Sequence, residues 1–306
     1  MQVSPKPPSN TAFKQQRLKA CQPIFTPAPV ILMLFLIGAA FVAIGAALVA
    51  ASVDLVETSV RYDKICTTGS SCTVVLNVPK KMLKPVYFYY QLNNYYQNHR
   101  RYVSSRSDTQ LRGDRITSLS AVDTCNPDKT FNDTNDINDL LLPCGLIAVS
   151  TFNDSFTLQY PNGTAVEWTT DGIAWQSDID KKFKPIPDGQ AGIVIQNQTD
   201  PHFINWMRTA ALPTFKKLYT IIHSDLEAGP YNLQIDDFYD VSSFDGEKRV
   251  VLSEISWLGG KNDFLGVTYL VIAGICLVFA IAFWIAVCVR PRQLGDISGV
   301  KRFEMH

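Results

Sequence analysis

The sequence predicts a membrane protein in which two transmembrane helices flank a large ectodomain of strands and irregular structure. Three observations predict this class. Two long runs lack charged residues, four cysteines lie between the runs, and the intervening segment contains stretches of alternating apolar and polar residues. The 306 residues are thereby divided into an N-terminal tail (1–29), a first span (30–53), an ectodomain (54–263), a second span (264–289) and a C-terminal tail (290–306).

The two apolar runs extend from Val30 to Val53 and from Phe264 to Val289, and neither contains Asp, Glu, Lys, Arg or His. A helix rises about 1.5 Å per residue, so the runs reach roughly 36 and 39 Å, enough to cross a hydrocarbon core of about 30 Å. A cleavable signal peptide is the alternative for the first run, but its apolar region would be only about 7–15 residues long. We therefore predict two membrane-spanning helices.

The charges of the tails indicate the orientation of the chain. The N-terminal tail carries four basic residues and no acidic one, namely Lys6, Lys14, Arg17 and Lys19. The C-terminal tail carries four basic residues against two acidic ones, whereas the ectodomain holds 20 basic and 26 acidic side chains. Because basic segments beside a span stay in the cytosol, both termini are predicted to be cytosolic and the ectodomain lumenal or extracellular.

Potential glycosylation sites agree with this orientation. Acceptor sequences of the type Asn-x-Ser/Thr occur in the ectodomain and in neither tail, and they begin at Asn132, Asn153, Asn162 and Asn197. N-linked glycans are added only in the secretory lumen. We therefore expect N-linked glycans on the ectodomain.

Cysteine usage also indicates an oxidising compartment. The ectodomain contains an even number of cysteines, Cys66, Cys72, Cys125 and Cys144, as is typical of disulfide-bonded secreted domains. Four cysteines allow three pairings, and sequence neighbours (66 with 72, 125 with 144) are favoured, although spacing alone does not decide between them. A zinc site is the alternative, but the closely spaced Cys-x-x-Cys pair typical of such sites is missing.

The first span carries small residues that flatten one side of the helix. They are Ala39, Ala43 and Ala47, together with Gly38 and Gly45. In lipid, helices associate through close packing rather than through hydrophobicity, and small residues permit that approach. We predict that this face binds a partner helix; the alternative is that alanine and glycine are ordinary residues of a span.

Several local patterns predict ectodomain elements. Val74–Val78 and Tyr231–Ile235 alternate apolar and polar residues, as half-buried strands do. Residues 86–92 (VYFYYQL) predict a strand buried on both faces. The pattern of residues 203–222 predicts a helix that Pro213 should kink or break.

No catalytic, cofactor-binding or metal-binding constellation is evident in the sequence. His202 beside Asp200 could form a catalytic pair, but Asp-Pro-His more simply predicts the cap of a following helix. The aromatic and arginine-rich segment 85–106 would suggest single-stranded nucleic acid in a cytosolic protein. A lumenal position instead favours a buried aromatic layer or a partner-binding surface. We expect no enzymatic activity, no cofactor and no nucleic acid ligand.

Several longer blocks resemble one family, the Cdc-fifty or ligand-effect-modulator family of accessory beta subunits of type IV P-type ATPases, which are lipid flippases. The blocks occur in the family's order and are FKQQRLKACQP (13–23), VYFYYQLNNYYQNHRRYVSSRSDTQLRG (86–113), PCGLIAVSTFNDSF (143–156), GIAWQSD (172–178), HFINWMRTAALPTFKKLYTII (202–222) and SWLGGKNDFLG (256–266). Together they cover nearly the whole chain.

The resemblance implies a disulfide-bonded, N-glycosylated α+β ectodomain rich in antiparallel strands. It also implies a non-catalytic role: binding the flippase catalytic subunit, supporting its folding, its export from the endoplasmic reticulum and its transport cycle. The complex would reside in the endoplasmic reticulum, Golgi and endosomal membranes and the plasma membrane, in contact with membrane lipids. Many members carry more cysteines just after the first span, so this chain is expected to have fewer disulfide bonds than they do.

The resemblance further implies a heterodimer held through three surfaces. The residues expected at the partner interface are Phe13, Lys14, Gln15, Gln16 and Arg17 in the tail, Ala39, Ala43 and Ala47 in the first span, and Tyr95, Tyr96, Asn98, His99, Arg100, Arg101 and Asn153 in the ectodomain. Because acidic side chains outnumber basic ones in the ectodomain, cationic patches are expected on the partner's lumenal loops.

A free-standing glycosylated receptor or adhesion protein is the alternative function. Its specific support is the tripeptide Arg112-Gly113-Asp114, which occurs often by chance.

Overall fold

A computed structural model describes residues 9–19, 25–257 and 259–291. Cys21 and the basic residues beyond position 291 lie outside the described residues. The chain forms two compact units, one containing both long helices and the other spanning Ala50–Asn262. Within the described residues the α-helices are α1 (Pro27–Val53), α2 (Arg100–Ser104), α3 (Asp108–Leu111), α4 (Leu146–Val149), α5 (Gln176–Lys181), α6 (Pro201–Met207) and α7 (Asp263–Val289).

The strands of the ectodomain form two antiparallel sheets and one short parallel pair. In chain order they are β1 (Glu57–Arg61), β2 (Ser70–Val78), β3 (Val86–Asn93), β4 (Leu141–Leu142), β5 (Ser155–Gln159), β6 (Ile193–Val194), β7 (Phe215–Ile222), β8 (Gly229–Asp237) and β9 (Glu247–Glu254). The larger sheet has the order β1-β9-β3-β7, the second sheet has the order β2-β8-β5, and β4 pairs with β6 in parallel. The antiparallel, strand-rich ectodomain is confirmed.

The strands predicted from alternation are present, and their alternation sets their register. In β2, Val74, Leu76 and Val78 are buried while the residues between them are exposed. Tyr231 of β8 lies opposite Leu76 in the antiparallel ladder, so buried side chains of both strands share one face. A strand has a side-chain period of two, and this register therefore places one complete apolar face in the core.

The core between the two sheets is largely aromatic. Phe156 of β5 lies with its ring centroid 5.4 Å from that of Phe88 in β3 and 5.0 Å from that of Tyr219 in β7. Trp206 of α6 is fully buried and donates its indole hydrogen to the Ile147 carbonyl at 2.8 Å. Edge-to-face rings of this kind each contribute about 0.5–1.5 kcal/mol beyond their buried area.

Two predictions about individual elements were wrong. Residues 203–222 do not form one helix, because α6 ends at Met207 and β7 begins at Phe215. Pro213 blocks helix continuation, and the β-branched residues that follow pair with β3 through backbone hydrogen bonds. Strand β3 is also not buried on both faces: Val86, Phe88, Tyr90 and Leu92 are buried, whereas the intervening side chains are half-buried.

Two disulfide bonds connect the cysteines that are neighbours in sequence. Cys66 bonds to Cys72 of β2, and Cys125 bonds to Cys144. The second bond lies in a small separate cluster of buried apolar residues, namely Ile116, Val122, Leu140, Leu141 and Leu142. The disulfide therefore adds a covalent link within this small cluster.

The helices α1 and α7 are each 27 residues long and are long and apolar enough to cross a membrane. They pack antiparallel, because Gly38 lies against Leu277 near one end and Val49 lies against Gly266 near the other. Consequently the first residues of α1 and the last residues of α7 are at the same end of the helix pair.

Candidate partner-binding surfaces

The small residues of α1 fall into two groups with different surroundings. A Cβ atom on Gly45 would lie 2.9 Å from Leu270 Cδ2, and one on Gly38 would lie 2.8 Å from Leu277 Cδ2. The two glycines therefore make the close contact with α7. The alanine stripe, defined as Ala39, Ala43 and Ala47, is exposed. The predicted flat face thus divides into an internal seam of glycines and an open stripe of alanines.

The predicted tail segment, residues 13–17, forms a compact turn. The backbone N–H of Arg17 donates to the Ala12 carbonyl at 2.7 Å, and Gln16 closes the turn with a φ of 55°. Phe13 is 75% exposed although it is a large apolar residue. Lys14 and Arg17 are exposed as well, and Gln15 is half-buried. The turn therefore presents an aromatic ring beside two positive charges.

The ectodomain residues predicted at the interface are separated by the fold. Tyr95 is half-buried and belongs to the aromatic core, with its ring 5.7 Å from Trp206 and 5.2 Å from Phe244. The next residue, Tyr96, is 57% exposed. The prediction of a partner contact therefore suits Tyr96, whereas the surroundings of Tyr95 make it a core residue.

The loop that carries these tyrosines is held by a second loop. Asn98 donates its side-chain amide to the Ala211 carbonyl at 2.8 Å, and the N–H of Tyr95 donates to the Pro213 carbonyl at 3.0 Å. The second loop exposes Leu212, which is 67% accessible to solvent. Sequence reasoning missed Leu212 because residues 203–222 were interpreted as a helix, in which an exposed loop leucine has no place.

The exposed side of this region is positively charged. His99, Arg100 and Arg101 are exposed at the start of α2, and none of them forms an ion pair with another residue that the structure describes. The local sign is therefore opposite to the net charge of the ectodomain. The expectation of cationic patches on the partner therefore does not suit this region.

Asn153 is exposed, and the next residue in the sequence belongs to a buried cluster of charged side chains. Its neighbour Asp154 accepts a hydrogen bond from Tyr62 Oη at 2.7 Å and from Lys248 Nζ at 2.9 Å, and all three side chains are buried. Asp237 is the second carboxylate that bonds to Lys248. Burial, together with the charge of Asp154, raises the pKa of Tyr62. The cluster fixes the backbone around Asn153, and the sequence carried no signal for it.

All four asparagines of the acceptor sequences are exposed: Asn132, Asn153, Asn162 and Asn197. The side-chain oxygens of Asn162 and Asn197 accept hydrogen bonds from the backbone N–H two residues further on, at 3.0 and 3.1 Å. Each position is accessible to a modifying enzyme. Asn153 is predicted both to carry a glycan and to contact a partner.

Asp200 and His202, which the sequence offered as a possible catalytic pair, have structural roles. Asp200 caps α6 by accepting a hydrogen bond from the N–H of Phe203 at 3.1 Å, as the sequence predicted. The His202 ring packs on Tyr219 with 4.4 Å between centroids, and burial lowers the pKa of His202. A neutral imidazole stacked on a tyrosine and a carboxylate occupied by a backbone N–H are not arranged as an acid–base pair.

These features define a class of protein: an apolar helix pair joined to a disulfide-bonded, antiparallel ectodomain. Comparison with known families identifies the class more closely. Residues 48–293 match the model of the LEM3 (ligand-effect modulator 3) family / CDC50 family. The chain belongs to this family.

Individual relatives agree with this assignment. The chain is 42% identical to "ALA-interacting subunit 3" of Arabidopsis thaliana, over 96% of this chain and 90% of that protein. It is 36% identical to "Cell cycle control protein 50A" of Mus musculus, over 90% and 87% of the two chains. It is 34% identical to "Phospholipid-transporting ATPase accessory subunit CRF1" of Saccharomyces cerevisiae, over 95% and 88%.

Proposed function

We propose that this protein is the non-catalytic accessory subunit of a phospholipid flippase. Its partner is the catalytic subunit of a type IV P-type ATPase, which moves phospholipid from the exoplasmic to the cytosolic leaflet. The observation that carries the proposal is the similarity over nearly the full chain to the proteins named "ALA-interacting subunit 3" and "Phospholipid-transporting ATPase accessory subunit CRF1". The role includes assisting the folding of the partner and its export from the endoplasmic reticulum.

Three surfaces support binding of a membrane-embedded partner. The turn at residues 13–17 offers Phe13 beside Lys14 and Arg17, which suits the cytosolic edge of a membrane protein. The alanine stripe suits close packing with a helix of the partner in lipid. On the ectodomain, Tyr96 and Leu212 are large and exposed, and tyrosine is enriched among the residues that contribute strongly to interfaces.

The positive charge on this ectodomain surface indicates which sign of charge we expect on the partner. His99, Arg100 and Arg101 are exposed and form no ion pair within the described residues. We propose that they face acidic groups on the partner's lumenal loops. Complementary charge of this kind favours the correct partner and orientation more than it raises affinity.

The test is co-purification of the full-length protein from its native membranes through an affinity tag. A type IV P-type ATPase should be among the recovered proteins. Deletion of the gene should retain that ATPase in the endoplasmic reticulum and reduce inward movement of labelled phospholipid. Recovery of the protein without any such ATPase, together with normal lipid uptake after deletion, would contradict the proposal.

A matched pair of variants separates the interface from folding. Arg100→Glu combined with Arg101→Glu reverses the exposed charge and should reduce recovery of the partner. Lys80→Glu combined with Lys84→Glu makes the same change in charge at exposed lysines outside this surface. Equal effects of the two double variants would show that the arginines have no specific role.

A further inference from the structure

The ectodomain contains a cleft whose rim is rich in arginine. It has a volume of about 500 Å³ and lies where the ends of three short helices meet. Its lining includes four cationic side chains, which are Arg106, Arg112, Lys182 and Arg208. Two carboxylates, Asp108 and Asp178, also line the cleft, so its net charge is positive. This is unexpected in an ectodomain with six more acidic than basic side chains.

Each of the three arginines lies beside an aspartate. Arg208 Nε lies 2.5 Å from Asp178 Oδ2, Arg106 Nε lies 3.0 Å from Asp108 Oδ1, and Arg112 Nε lies 3.9 Å from an oxygen of Asp114. In all three pairs the contact uses the inner nitrogen of the guanidinium. The terminal nitrogens form no hydrogen bond with any residue in the described part of the chain.

Arg208 is the most firmly held of the three. Its guanidinium carbon lies 4.9 Å from the centre of the Trp175 ring, and its partner Asp178 is almost completely buried. Hydrogen bonding from Arg208 lowers the pKa of Asp178, although burial opposes this effect. The arginine is therefore fixed by stacking and by a charge-assisted bond, with its outer nitrogens available to a ligand.

Three of these cationic side chains lie at the C-terminal ends of short helices. Arg112, Lys182 and Arg208 occupy the C-cap positions of α3, α5 and α6. Cations are favoured at the negative ends of helices. Capping alone, however, gives no reason for three helix ends to converge on one cavity, nor for the guanidiniums to keep their outer donors free.

The floor of the cleft is apolar. Leu111, Phe183 and Met207 line it and are buried. The volume falls within the range of about 300–1,000 Å³ that is usual for small-molecule sites. Guanidinium groups recognise carboxylates and phosphates through paired N–H donors, and a phosphate monoester carries three strong acceptor oxygens that suit a group of cations.

From this arrangement we infer that the cleft binds a phosphate ester, with the phosphate on the arginine rim and the organic part on the apolar floor. The phosphate can belong to a phospholipid headgroup or to a soluble phosphate ester. The inference does not depend on the flippase role, because it concerns a site within the ectodomain of this chain alone.

Calorimetric titration of the full-length protein in detergent tests the inference. The probes are O-phosphoserine, dihexanoyl phosphatidylserine and inorganic phosphate. We expect saturable binding of at least one ester, competition by inorganic phosphate, and weaker binding as the salt concentration rises. Tighter binding of the short-chain lipid would identify a headgroup as the ligand, and tighter binding of phosphoserine would identify a soluble ester.

Variants of the rim provide the decisive comparison. Arg106→Gln combined with Arg112→Gln removes two partly exposed cations and leaves buried Asp178 paired. The double variant should weaken ester binding by at least about tenfold, since it removes two charged donors to the phosphate. Arg249→Gln removes an arginine outside the cleft, which pairs with Glu247 at 3.4 Å, and should leave binding unchanged.

Two results would overturn the inference. One is the absence of saturable binding by either ester to a protein that unfolds at its normal temperature, which would leave helix capping as the full explanation of the arginines. The other is an equal loss of binding in the Arg249 variant, which would indicate a nonspecific effect of charge. Neither result bears on recovery of the ATPase partner.

Discussion

Lys248 Nζ lies 2.9 Å from Asp154 Oδ2, and both side chains are almost completely buried. Asp154 Oδ1 accepts hydrogen bonds from the N–H groups of Phe238 and Tyr239, at 2.7 and 2.6 Å. The pair therefore links β9, the end of β8 and the segment that leads into β5. It joins the two antiparallel sheets by a polar contact that is surrounded by the aromatic core.

Replacement of Lys248 by methionine should destabilise the ectodomain by about 3–5 kcal/mol, because Asp154 and Asp237 would remain buried without their cation. Thermal unfolding in detergent measures this change. The control is Lys81→Met, which removes a lysine that is about half exposed and paired with Glu227 at 2.6 Å. Surface pairs contribute about 0–1 kcal/mol. Equal unfolding temperatures for the two variants would show that the buried pair is dispensable.

The two groups of small residues in α1 should respond differently to enlargement. Gly45→Leu places side-chain atoms where Leu270 already lies and should separate α1 from α7. Ala43→Leu adds volume to the exposed alanine stripe and should keep the helix pair while reducing recovery of the partner. Cysteine cross-linking between the helices measures the first effect, and co-purification measures the second. Loss of cross-linking in the Ala43 variant would contradict the division.

The adjacent tyrosines should also separate folding from binding. Tyr95→Ala removes a ring that contacts Trp206 and Phe244 and should cost about 3–5 kcal/mol of stability, as large-to-small changes of core aromatic residues do. Tyr96→Ala should leave the unfolding temperature nearly unchanged and reduce recovery of the partner. If Tyr96→Ala lowers the unfolding temperature as much as Tyr95→Ala does, the Tyr96 ring contributes to the core and the division is wrong.

Stability should depend on pH through Lys217. Burial, with the nearby charge of Arg208, lowers the pKa of Lys217 from 10.5 to about 7. Between about pH 7 and 10.5 the unfolded chain therefore binds a proton that the folded chain does not. Stability should rise with pH in this window, by up to about 1.4 kcal/mol per pH unit, and this contribution should be flat below it.

The comparison for Lys217 is thermal unfolding from pH 6 to 9 in the native protein and in Lys217→Met. Lys217 Nζ donates to the Asn205 carbonyl at 2.9 Å and also to the Arg208 carbonyl. The variant loses these bonds, so its absolute stability is not informative. The informative quantity is the slope of stability against pH, which should be smaller in the variant than in the native protein above pH 7. Parallel curves would show that Lys217 is charged in the fold.

Loss of the bond between Cys125 and Cys144 should destabilise the ectodomain by about 3 kcal/mol in the chain-entropy model. Cys144→Ser should therefore reduce export of the partner from the endoplasmic reticulum. Cys276→Ser is the control, because Cys276 is a free cysteine within α7. Normal surface delivery of the Cys144 variant together with its partner would show that this bond is not needed.

The features that sequence predicted best are those with a local physical cause. The alternation in β2 and β8, the long uncharged runs of α1 and α7 and the cap at Asp200 each follow from residues close together in the chain. The structure of residues 208–222 was harder to predict, because strand pairing with β3 overrides their helical pattern. The paired residues of β3 lie more than 120 positions earlier in the chain.

The candidate surfaces illustrate the same limit. Tyr95 and Tyr96 have identical side chains, and only the two loops that meet at Ala211 and Pro213 decide which ring enters the core. Lys248 and Asp154 are 94 positions apart. Nothing in their local sequence distinguishes them from surface residues, since charged side chains are rarely buried. Contacts between distant segments therefore account for most of what the sequence did not reveal.

The glycine seam between α1 and α7 has a consequence for assembly. Two helices that already fit closely form a preassembled pair, and a partner then aligns with that pair rather than with two separate helices. Less conformational freedom is lost on association, so a modest contact along the alanine stripe can suffice for a lasting complex. The seam thus preorganises the subunit before any partner arrives.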